Sequence, residues 1–153
     1  MASSKYIPTK FRTLVTNPKA YIQKTPTNIK KMAYDLVKFL IDNDLFIDTR
    51  IYYKTRKSWN MLTDSKLGNI PSNKENFSKG NKTYTIYTAE GIDPNYYFKY
   101  NGGYMSVSTE GPLYDIINSY SDEPIERYLN NYFSNWGLYF ELGDTWNFSL
   151  YDR

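Results

Sequence analysis

The chain has 153 residues, 41% of them hydrophobic, and a net charge of +3. That length suffices for one domain with its own core, and the modest charge content argues against disorder over most of it. With no histidine and no cysteine, disulfides, thiol chemistry, Ser-His and Cys-His triads and His/Cys zinc sites are excluded.

Residues 1–26 contain Pro8, Pro18 and Pro26 and predict an extended basic arm. Residues 27–153 are expected to form a single domain. Thr27 or Asn28 would cap a helix over 28–42, where Ile29, Met32, Ala33, Leu36, Val37 and Leu40 make an apolar stripe. RIYYKTR, Arg50 to Arg56, predicts a strand, residues 60–81 a long loop, and KTYTIYT, Lys82 to Thr88, a second strand. Asn101-Gly102 predicts a hairpin turn that sets Phe98 opposite Met105 and Tyr96 opposite Val107. Gly111-Pro112 opens a helix whose Leu113, Ile116 and Ile117 share a face. Ser121, Asp122 and Pro124 open another, with Ile125, Tyr128, Leu129, Tyr132 and Phe133 as its stripe and Gly137 as its stop. The end, LYFELGDTWNFSLYDR, predicts a hairpin around a loop from Gly143 to Thr145, pairing Leu142 with Trp146, Phe140 with Phe148 and Leu138 with Leu150. The expected fold class is α+β: a mostly antiparallel sheet of two hairpins plus additional strands, packed by about three helices, with an extended N-terminal arm. No stretch is long and apolar enough to span a bilayer, and MASSKYIPTKFRTLV lacks an apolar signal region, so a cytoplasmic protein with no membrane partner is expected.

Charge is unevenly placed. Residues 1–34 hold seven basic residues and no acid, and a second basic run, Arg50, Lys54, Arg56 and Lys57, follows. Lys5, Lys10, Arg12, Lys19 and Lys24, interleaved with Tyr6, Phe11 and Tyr21, suit a nucleic-acid backbone or an acidic protein surface; the alternative is a solvated tail that aids solubility. In the predicted hairpins Tyr97, Tyr104, Ser106, Ser108, Tyr139, Glu141, Asn147, Ser149 and Tyr151 point away from the apolar face. Tyr, Ser and Asn on rigid strands resemble a paratope, because tyrosine offers large contact area at low entropic cost. The alternative is that A/T-rich coding supplies aromatics as tyrosine, of which there are 17. The expected partner-binding set is therefore Lys5, Lys10, Arg12, Lys19, Lys24, Arg50, Lys54, Arg56, Lys57, Tyr97, Tyr104, Tyr139 and Tyr151.

Catalytic and metal motifs are weak. Asp42, Asp44 and Asp48 have neither the spacing nor the glycine of a calcium loop, and a negative helix end beside Arg50 accounts for them. Ser108-Thr109-Glu110 lacks the rest of an ADP-ribosyltransferase pattern, leaving Glu110 as a turn or cap residue. Neither a phosphate-binding glycine loop nor a set of acids for two metals is present. No catalytic residue, metal or cofactor is expected.

The segment MSVSTEGPLYDIINSY, Met105 to Tyr120, resembles part of small uncharacterised proteins carried by phages and other mobile elements of low-GC Gram-positive bacteria. The resemblance implies a counter-defence factor of the anti-CRISPR or anti-restriction kind and carries no residue role. The leading expectation is a non-enzymatic inhibitor that binds a host nuclease, or its nucleoprotein complex, and blocks a nucleic-acid or partner site. The alternative is a nucleic-acid-binding accessory or regulatory protein that uses the basic arm.

Overall fold

A computed structural model describes residues 23–55, 58–65, 68–97, 103–118 and 125–152. Within them the chain is α+β. Helix α1 (Pro26–Asp42) is followed by strands β1 (Thr49–Lys54), β2 (Trp59–Thr63), β3 (Asn73–Lys79) and β4 (Lys82–Glu90) and by a 3-10 turn (Pro94–Tyr96). Then come β5 (Met105–Thr109), α2 (Pro112–Ile117), α3 (Ile125–Asn135), β6 (Leu138–Leu142) and β7 (Asn147–Asp152). The strands form one sheet in the order β3-β4-β2-β1-β5-β7-β6, with every pair antiparallel.

Helix α1 begins slightly earlier than its apolar stripe implies. Thr25 is the cap: its hydroxyl accepts from the Asn28 N–H at 3.1 Å, and Pro26 takes the first helical turn, where a missing N–H costs nothing. The stripe Ile29, Met32, Ala33, Leu36, Val37 and Leu40 is buried, as are Phe39 and Ile41. It covers the sheet face built from Ile51 and Tyr53 of β1, Leu62 of β2, Ile86 of β4, Met105 and Val107 of β5, and Phe148 and Leu150 of β7. Leu129, Tyr132 and Phe133 of α3 complete that core, and Phe133 meets Phe148 with ring centroids 5.9 Å apart. Gly137, at φ 74°, ends α3 in the left-handed region that suits glycine.

Three expectations are corrected. Residues 60–81 are not a loop: they supply β2 and β3, and Gly80-Asn81 is a two-residue hairpin link between Lys79 and Lys82. β5 does not pair with Tyr96. Both its edges are taken, Val107 lying opposite Ile51 and Phe148, while Tyr96 sits in a 3-10 turn capped by Asp93. Phe98 and the Asn101-Gly102 turn lie outside the described residues. The C-terminal hairpin is shifted by two, pairing Leu142 with Phe148, Phe140 with Leu150 and Leu138 with Asp152. A side chain decides this register: Asn147 Oδ1 accepts from the Asp144 N–H at 2.7 Å, holding Asn147 in the closing turn and leaving Trp146 in the loop. A shift of two keeps each residue's face.

Candidate functional site

The sheet face turned away from α1 carries the polar and aromatic residues. Its register can be read in rows. Lys74, Tyr87, Thr63, Arg50, Ser108 and Asn147 form one row across β3, β4, β2, β1, β5 and β7. Ala89, Met61, Tyr52, Ser106, Ser149 and Glu141 form the next.

The middle of this face is covered. Tyr52 and Met61 are fully buried, with Trp59, Ile92 and Trp146 packed against them. Ser106 and Ser149 are buried with their hydroxyls 2.8 Å apart, and Asn147 is buried in its turn. These three therefore leave the set of outward contact residues: hydroxyls and amides satisfied within the fold are not offered to a partner.

Beside that cover lies a recess of about 280 Å³. Arg50 and Tyr52 line it with Ser108 and Thr63; Tyr97 and Trp146 are its aromatic walls, and Asp48, Asp64 and Glu110 lie along its acidic side. Burial raises the Tyr52 phenol above its ordinary pKa, and the neighbouring Arg50 and Ser108 side chains oppose the rise. The Arg50 guanidinium stands 5.9 Å over the Tyr97 ring, and Tyr97, 46% exposed, lies 6.2 Å from the Tyr52 ring. Two more cations on this face are held in the same way: Lys54 lies 6.0 Å over Trp59, and Lys74 lies 5.9 Å over Tyr87.

The other expected contact residues are scattered. Tyr139 and Tyr151 lie together at the β6 edge, with ring centroids 5.9 Å apart, and the Tyr104 hydroxyl donates to Asp152 Oδ2 at 2.6 Å. Lys24 is drawn into the domain, its side chain only 4% exposed and its Nζ 3.3 Å from Asp152 Oδ1. Lys5, Lys10, Arg12, Lys19, Arg56 and Lys57 lie outside the described residues. Asp42 and Asp44 serve the fold, paired with Lys38 and Lys79.

Lys74, Tyr87, Trp59 and Trp146 were not among the expected contact residues. Lys74 and Trp59 fall in or next to the stretch that reads as loop, and Trp146 reads as a core residue when the terminal register is set two residues off. The Gly80-Asn81 pair immediately before the strand-like KTYTIYT was the usable signal for a hairpin, and so for β3. Among the described residues no helix is long and apolar enough to cross a membrane, and no group of three or more Asp or Glu is arranged to hold a metal ion. No family model, curated protein or solved structure matches the chain.

Proposed function

We propose that the chain is a non-enzymatic inhibitor from a phage or mobile element that binds a host defence nuclease, as its nucleoprotein complex, and occludes a nucleic-acid or partner site. One observation carries the reading. Three cations of one sheet face, Arg50, Lys54 and Lys74, are each held over an aromatic ring. A ring beneath a cation restrains a long side chain, so less entropy is lost when it meets an anion. An anionic strand with stackable bases, such as the guide or target of a nucleoprotein complex, matches that pattern. The phage source and the nuclease target rest on the resemblance of Met105 to Tyr120. The absence of histidine and cysteine supports action by stoichiometric binding.

Titrating the purified chain into an RNA-guided nuclease from a low-GC Gram-positive host tests this. Cleavage is expected to stop at an integer ratio of chain to nuclease. Combining Lys54→Ser, Lys74→Ser and Tyr97→Ala is expected to weaken inhibition about tenfold or more. One molecule disabling many nucleases, or a covalent mark left on the nuclease, would sink the reading. The same face suits a nucleic-acid-binding accessory protein. Steeply salt-dependent binding to naked RNA or DNA, with no effect on the nuclease, would favour that alternative.

A further inference from the structure

The recess lined by Arg50 and Tyr52 has a rim that the backbone holds in place. The Asp48 N–H donates to Asp64 Oδ2 at 3.2 Å, the Glu110 N–H to the Asp48 carbonyl at 3.1 Å, and the Thr109 N–H to the Trp146 carbonyl at 2.8 Å. These bonds tie the residues before β1, after β2, after β5 and before β7 to one another. Walls fixed before binding lose little entropy when a ligand enters. At about 280 Å³ the recess is at the small end for a ligand pocket.

Charge decides what it accepts. Among the described residues that line it, Asp48, Asp64 and Glu110 stand against a single cation, Arg50. A phosphate meets more repulsion than attraction there, and Arg50 opposes a cationic ligand. A neutral group with acceptors on one edge and donors on another suits both signs. Both Asp64 oxygens are engaged by the fold, one with the Asp48 N–H and the other with the Ser65 hydroxyl at 3.3 Å. Glu110 is exposed, and among the described residues its carboxylate has no hydrogen-bond or ion-pair partner. It directly follows β5, and strand alternation puts it on the face of Ser108, which lies opposite Arg50. The Arg50 guanidinium has more N–H donors than the neighbouring Tyr52 phenol can accept from, and Tyr97 adds an exposed ring.

On the reading that this face meets a nucleic-acid strand, we infer that the recess takes one unstacked guanine of a single strand. Guanine O6 and N7 accept from an arginine as a pair, and its N1–H and 2-amino group donate as a pair to a carboxylate. Arg50 takes the first edge, Glu110 takes the second, and the base stacks on Tyr97. Adenine puts an amino donor where guanine has O6, so it would set donor against donor at Arg50. Cytosine and uracil lack the paired donors that Glu110 can accept. The phosphates stay outside the recess, where Lys54 and Lys74 stand over their own rings. Acids on a face that meets an anionic strand then have a role: they admit the base and turn the backbone away.

Fluorescence anisotropy of short labelled uracil strands, mixed with the purified chain at one low salt concentration, tests the inference. A central guanine is expected to tighten binding about tenfold over the plain uracil strand, as one bidentate pair does. Adenine or cytosine at that position should bring little gain, and inosine, which lacks the 2-amino donor, should lose most of it. In Glu110→Gln, with folding checked by circular dichroism, the ratio of guanine-strand to uracil-strand affinity should fall towards one. Where that variant misfolds, the inosine strand with wild type decides. A wild type that binds no strand, that binds all the bases alike or that takes inosine as well as guanine would overturn it, as would a folded Glu110→Gln that keeps the full preference. Guanine preference with nuclease cleavage untouched supports the inference and fails the inhibitor reading; blocked cleavage with no base preference does the reverse.

Discussion

Lys24 belongs to the arm by sequence and to the domain by its contacts. Its ammonium is buried against Asp152, whose other oxygen accepts from Tyr104. Asp152 is 44% exposed, so water can take up its charge if Lys24 is lost. Lys24→Ala is therefore expected to cost about 1–2 kcal/mol in urea melts, from the lost pair and its packed stem. Lys54→Ala, at an exposed position, should stay within about 0.5 kcal/mol. Tyrosine protonation gives a second test. Burial is the first cause that raises the phenols of Tyr34, Tyr52, Tyr53 and Tyr132 above their ordinary range. The Glu75 carboxylate adds to the rise at Tyr34 and Tyr53, and Asp35 adds to it at Tyr132. Above the unfolded tyrosine pKa of about 10, the native state holds more protons than the unfolded chain. This contribution to stability is fully present below that pH and is lost as pH rises through the folded values. The melting temperature should be flat up to about pH 10 and fall beyond it, less steeply in Tyr132→Phe. An equal fall in both proteins would remove Tyr132 from the account.

Helix α1 was legible because its stripe repeats at the helical period and one face is buried, which is the condition under which periodicity carries information. β2 was not, because WNMLT buries both faces, Asn60 and Leu62 towards α1 and Met61 and Thr63 away from it, so no alternation remains. β3 was hidden for the opposite reason: Asn, Lys, Glu and Ser favour loops, and pairing with β4 overrides them. The terminal hairpin was half legible. Its faces followed from alternation, while its register depended on the Asn147 side chain inside the turn. Packing of this element gives a graded prediction. Phe148 is fully buried and meets Phe140 at 5.3 Å, whereas Phe140 is half-buried on the outer strand. Phe148→Ala is expected to cost about 3–5 kcal/mol and Phe140→Ala about 2–3 kcal/mol in denaturant melts. Gly111 tests the junction of β5 with α2. A Cβ there would fall on the Ile47 carbonyl oxygen, beside the Glu110 N–H bond to Asp48 that shapes the recess. Gly111→Ala should destabilise the fold through that backbone clash, with thermal melting as the readout; a melting temperature equal to wild type would show that the Ile47–Asp48 segment gives way freely.

Over the whole molecule, net charge hides two cationic regions with different physics. The N-terminal cations Lys5, Lys10, Arg12 and Lys19 lie in a stretch without acids. Such a run of cations attracts an anionic surface through long-range charge, an effect that shortens with the Debye length as salt rises. The sheet-face cations Arg50, Lys54 and Lys74 stand over rings and beside a recess with acids of its own. Contact there combines charge with aromatic area and depends on geometry more than on ionic strength. The two contributions separate in a paired measurement against the proposed nuclease complex. Changing Lys5, Lys10, Arg12 and Lys19 to Ser should slow association at low salt and lose most of that effect at high salt, with dissociation little changed. Changing Lys54 and Lys74 to Ser with Tyr97→Ala should speed dissociation at both salt concentrations, because contacts made only in the docked complex are removed. If the arm variant alone abolishes binding at both salt concentrations while the sheet variant binds as wild type, the sheet face is not the contact, and the ring-held cations serve only to cover the buried Tyr52–Met61 pair.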